Sequence, residues 1–135
     1  MRALILEGPL KYAVKNVEIP KPADGEVLIK VMAAPINPSD VVFLNVGTYD
    51  QKKAPCIPGF EGSGTVVQSG GGIVGWGLVN KRVAFSPTMN SGTYCEYAIA
   101  KAGECLPLEE TISFENGCMS FVNPLTAIAL LDYAK

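Results

Sequence analysis

The sequence predicts a mainly β domain with short helices. Three observations carry this. Short apolar or alternating segments recur along most of the chain, each bounded by Gly, Pro, Asn or Asp. There are 14 Gly and 10 Pro among 135 residues, which means frequent turns. About seven such strands come first and the main helices last, an order that fits a β-barrel-like unit followed by the start of something helical.

The elements follow in order. Residues 2–6 read as a short strand, Gly8-Pro9-Leu10 as a turn, and residues 14–19 as a second, alternating strand. Lys21-Pro22-Ala23-Asp24-Gly25 is turn chemistry: Pro starts it and Asp-Gly reverses the chain. Residues 26–34 form the strongest strand. It is apolar on both faces except at Lys30, which predicts a central position. Pro35 and Pro38 make residues 35–40 irregular and rigid. Asn37 or Ser39 is placed to cap a short helix over residues 40–44. Residues 45–58 read as loop. Residues 62–68 begin with glycines and turn β-branched, a strand entered through a tight backbone passage. Residues 69–72 are a turn; residues 82–85 and 92–100 are strands. Residues 106–108 are edge-like, because Pro107 cannot donate to a ladder. Ser113 is the expected cap of a helix opening at Phe114. Asn123 before Pro124 predicts an N-cap and a helix over residues 125–134. Ala127 to Leu131 are apolar without a break, so this helix asks for burial on nearly all sides. That implies a neighbour, either a second domain or another copy of the chain.

Composition excludes several function classes. Hydrophobic residues make up 48% and charged residues 18%, with a formal net charge of −2. No basic run exists to track phosphates, so no nucleic-acid partner is expected. No apolar stretch reaches about 18 residues, so no membrane span is expected. The absence of histidine removes Ser-His-Asp and Cys-His catalysis and His-ligated zinc. Cys56, Cys95, Cys105 and Cys118 form no C-x-x-C pair, and reduced, buried thiols are expected of them. Gly62-Ser63-Gly64 and Gly70-Gly71-Gly72 lack phosphate-loop spacing and read as tight turns. Glu61 is expected to brace its surroundings, with a hydrogen-bonding partner.

Five segments carry a resemblance in order and spacing: A-A-P-I-N-P-S-D at 33–40, P-G-F-E-G-S-G at 58–64, V-N-K-R-V at 79–83, G-T-Y-C-E-Y at 92–97 and N-P-L-T-A at 123–127. They resemble the GroES-like catalytic domain of medium-chain dehydrogenases/reductases over essentially the whole chain. That implies a partly open β-barrel over residues 1–120. Residues 121–135 would be a helix leading to a Rossmann domain absent from this sequence. Zinc-dependent members carry Cys where Asn37 stands and His where Phe60 stands, so the resemblance is to the zinc-free branch, with no metal site. This branch includes NADPH-dependent quinone reductases and 2-enoyl-thioester reductases. The implied cofactor is NADPH, held mainly by the absent domain, with a small-molecule substrate and a homodimer in the full-length protein. Tyr49 is the implied proton donor. Asn37, Asn123 and Thr126 are the implied cofactor contacts; a turn role explains Asn37 equally well, and a helix cap is a sufficient local explanation of Asn123 and Thr126. The implied location is cytoplasmic or mitochondrial. The competing expectation is a non-catalytic GroES-like binding or assembly module, for which the charged Lys52-Lys53 loop is a poor match.

Overall fold

The computed structural model describes residues 1–49 and 52–134. The strands are β1 (Arg2–Gly8), β2 (Lys11–Asn16), β3 (Glu26–Ala33), β4 (Thr48–Tyr49), β5 (Lys52–Lys53), β6 (Gly62–Ser69), β7 (Arg82–Phe85), β8 (Tyr97–Lys101) and β9 (Leu106–Pro107). The helices are α1 (Pro38–Val46), α2 (Ile73–Leu78), α3 (Phe114–Gly117) and α4 (Val122–Tyr133).

A five-stranded antiparallel sheet in the order β8-β3-β6-β7-β9 forms the centre. β3 lies inside it, as its apolar faces predicted, and Val27, Leu28 and Ile29 are all buried. Its far end does not keep that pattern, since Met32 is 53% exposed. β9 is the edge, where Pro107 leaves no ladder donor missing. Val27, Ile29, Val66, Val83, Phe85, Ala98 and Ala100 form the core from alternate positions of four strands. The β1–β2 ribbon stands apart and is joined to the rest by single bridges, Ala3 to Cys95 and Leu6 to Cys56. The sheets stay open and do not close into a barrel, in keeping with the partly open architecture expected.

Gly64 explains the tight passage into β6. A Cβ there would stand 2.1 Å from the Lys30 carbonyl oxygen of the neighbouring strand, which no side chain tolerates.

Several elements differ from the sequence reading. The second strand is Lys11–Asn16, not residues 14–19, because it pairs with β1 around the Gly8 turn. Residues 45–58 are not all loop: β4 and β5 pair as a small ribbon. Of residues 92–100 only the part from Tyr97 on is strand, and it continues to Lys101. The segment before it is held by other bonds: Tyr94 N–H donates to Pro58 O, and Leu4 N–H donates to Tyr94 O. Helix α2 arises where the sequence showed only glycines and apolar residues. Two of the four cysteines, Cys105 and Cys118, are buried, while Cys56 and Cys95 are half-buried. All four are free thiols. Burial pushes Cys95 up to about 11 and Cys105 up to about 12, which makes both poor nucleophiles.

Candidate functional site

The site begins at Asn37. This residue is extended (φ −89°, ψ 158°) and precedes Pro38 at the first position of α1, where a missing N–H costs nothing. Asn37, not Ser39, is the N-cap. Its backbone N–H donates to Asp40 Oδ2 at 2.8 Å, the carboxylate half of a capping box. Its side chain turns the other way, and Nδ2 donates to Glu61 Oε1 at 2.8 Å.

Glu61 is 1% exposed. Its second oxygen, Oε2, accepts the backbone N–H groups of Phe121 at 3.0 Å and Val122 at 2.9 Å. A buried carboxylate thus caps α4 from a distant part of the chain, and its charge complements the helix N-terminus. The partner expected for Glu61 is therefore two-sided: an amide and a helix start. This also corrects the expected start of the helix. α4 begins at Val122 with Phe121 as N-cap, so Asn123 and Pro124 lie inside its first turn. Asn123 does not cap. Its Nδ2 donates to Asn37 Oδ1 at 3.4 Å. Thr126 Oγ1 donates to Val122 O at 2.6 Å, one turn back.

The structure therefore joins Asn37, Glu61 and Asn123 in one polar seam, with Thr126 one turn further along α4. Asn37 is buried, whereas Asn123 and Thr126 are exposed. Tyr49 belongs to β4 by its backbone, and its side chain lies outside the described structure.

Beside the seam is a cleft of about 280 Å³, lined by Ser39, Lys52, Phe60, Ser86, Thr88 and Val122 among others. Phe60 packs on Phe43 with ring centroids 5.7 Å apart. Ser86 Oγ donates to Phe60 O at 3.1 Å, fixing the backbone of that wall. Lys52 is 7% exposed, and its Nζ donates to the Ser91 carbonyl oxygen. Burial pulls its ammonium below the ordinary 10.5. In the sequence Lys52 stands only as a charge in a loop. Alternation along β5, with Lys52 inside and Lys53 outside, is the signal that locates it once the ribbon is recognised.

Asp40 is wholly buried, and its Oδ1 has no hydrogen-bond partner among the described residues. Burial, aided by repulsion from Glu61, raises its carboxyl above the ordinary 3.8, against the Asn37 N–H bond that lowers it. The folded chain thus holds a proton that the unfolded chain releases. Asp40 therefore stabilises most below about pH 4, and its contribution declines as pH rises toward the folded value. Asp40→Asn cannot ionise and escapes that decline. Urea unfolding at several pH values should show its stability relative to the parent improving between about pH 4 and 7. A difference constant across that range would refute the assignment.

Among the described residues no three His, Cys, Asp or Glu side chains gather as they would for a metal ion. At the positions in question stand the Asn37 amide, bonded to Glu61, and the Phe60 ring. Neither offers a usable zinc ligand. Two adjacent carboxamides, those of Asn37 and Asn123, stand there instead.

An open antiparallel β domain with a polar seam at the N-terminus of its last helix is what the fold and site define. The chain belongs to the alcohol dehydrogenase GroES-like domain family, whose pattern it matches over residues 23–110. It is 35% identical over 120 residues to the mitochondrial enoyl-[acyl-carrier-protein] reductase of Xenopus tropicalis, covering 88% of this chain and 33% of that protein. A Mesorhizobium loti protein assigned as an NADPH:quinone reductase superposes with a TM-score of 0.88 at 41% identity, over 98% of this chain and 43% of that one. The quinone oxidoreductase of Thermus thermophilus, also solved with NADPH, gives a TM-score of 0.80 at 28% identity, over 99% and 41%. The chain spans about a third of the length of the curated relatives it matches. Among the described residues, no helix is long and apolar enough to cross a membrane.

Proposed function

We propose that this chain is the substrate-side domain of a zinc-independent, NADPH-dependent oxidoreductase that reduces a quinone or the C=C bond of a 2-enoyl thioester. The observation that carries this is the seam: Asn37 and Asn123 meet beside a largely apolar cleft, and no zinc ligand stands at Asn37 or Phe60. The relatives, enoyl reductases and quinone reductases, point the same way.

NADPH, when bound, supplies a hydride to an electron-poor carbon. Asn37 and Asn123 orient its carboxamide at the cleft mouth, and the Thr126 hydroxyl, which can still accept, lies on the same helix. Phe60 and Val122 exclude water from the reacting face. Tyr49 returns a proton to the substrate, so hydride plus proton convert C=C to CH–CH. A phenol is a competent donor to an enolate carbon. Leu125, Ile128, Leu130 and Leu131, each more than half exposed, are covered by a nucleotide-binding domain following residues 1–120, and the full-length protein forms a homodimer.

The test is a graft of residues 1–135 onto the remaining part of the Thermus thermophilus chain. The graft should consume NADPH with a quinone or a 2-enoyl thioester. A graft that binds NADPH yet reduces neither refutes the reading. In the active graft, Tyr49→Phe should lower kcat on the enoyl thioester by about 10²–10⁴-fold; full retention would remove Tyr49 from the proton step.

A further inference from the structure

Lys52 is the one charged side chain among the described cleft-lining residues, and the seam gives it no role. An almost fully buried ammonium in an apolar wall is costly unless it is matched. Its matches are incomplete. An ammonium has three N–H donors, and among the described residues its hydrogen bond is to the Ser91 carbonyl oxygen. Nζ also sits 5.9 Å from the centroid of the Phe60 ring, the floor of the same cleft. Among the described residues it forms no salt bridge, and two of its three donors are left for a ligand in the cleft.

We propose that Lys52 receives the carbonyl oxygen of the substrate, and that the cleft takes carbonyl compounds whose oxygen gains negative charge on reduction. This rests on the proposed function and deepens it: enoyl thioesters and quinones both develop an oxyanion when hydride adds. A donor already fixed in a low-dielectric site stabilises that charge without reorganising. The Ser91 carbonyl and the Phe60 ring hold the ammonium in place. Lys52 touches the substrate oxygen, while Tyr49 handles the proton.

The test needs neither NADPH nor turnover. Residues 1–135 are titrated with trans-2-hexenoate, a stable anion standing in for the oxyanion, and with neutral trans-2-hexen-1-ol. The wild-type chain should prefer the anion by about tenfold or more. Lys52→Met should bind both equally, and Lys52→Arg should keep the preference. A purely structural lysine would shift both ligands together. In the wild-type chain, the Lys52 13Cε NMR signal should move along the hexenoate titration, a readout that requires no variant to fold. An anion preference unchanged in Lys52→Met, a motionless Lys52 signal, or no hexenoate binding by the wild type would each overturn the proposal. An inactive graft with this result intact would instead reject the oxidoreductase reading and leave the anion site standing.

Discussion

Glu61→Ala will destabilise the chain by about 2–4 kcal/mol and loosen α4 before the rest of the fold unfolds. The carboxylate accepts from the Asn37 amide and from two backbone N–H groups of α4. Removing it leaves the buried Asn37 amide without an acceptor and the helix start without a cap. No residue of α4 is buried, so little packing remains to hold the helix. Asn37 also loses its orientation toward Asn123. Glu61→Gln keeps the shape and one acceptor but loses the charge that favours the helix N-terminus, so its effect should be intermediate. Urea unfolding gives the global loss. Amide hydrogen exchange gives the local one, with protection at Val122 falling first. Normal stability together with unchanged Val122 protection would mean that Glu61 does not tether the helix.

Gly59→Ala should cost about 2–5 kcal/mol, by two mechanisms that add. Gly59 has φ +98°, a conformation that disfavours any Cβ. The added Cβ would also stand 2.2 Å from Thr93 Oγ1 and 2.9 Å from Thr93 N. Thr93 is 1% exposed and in no position to retreat. The damage reaches the site because Phe60 and Glu61 follow directly: shifting the turn moves the cleft floor and the seam together. Gly77→Ala is the control. It lies in α2 with nothing within 4 Å of its Cβ, and it should be neutral or gain up to about 1 kcal/mol. Thermal unfolding compares the two; equal effects would remove the steric argument.

Four strands of the central sheet, β3, β6, β7 and β8, were legible because each buries an alternating or continuous apolar set, as β3 does with Val27, Leu28 and Ile29. The cap at Ser113 was legible too, since its hydroxyl accepts from Asn116 N–H three residues on. The start of α4 was not. Asn123-Pro124 is a good local cap signal, but the cap that operates is Glu61, 60 residues away from Phe121. Local pattern cannot show a cap from elsewhere in the chain. Lys52 was hidden for a similar reason: a two-residue strand is too short to display a period, so two adjacent lysines looked equally solvated. Asn37 reads from the sequence as a turn residue, and as a cofactor contact only through the family resemblance. Its backbone caps α1 while its side chain joins the seam. The prolines around it were the readable sign of that rigidity.

The graft onto the Thermus thermophilus chain should be treated with a metal chelator and then given trans-2-hexenoyl thioester and NADPH carrying deuterium at the transferred position of C4. The proposed reduction predicts an undiminished rate and a saturated product with one deuterium at C3. Loss of activity on chelation with recovery on added zinc, or a saturated product without deuterium, would contradict it.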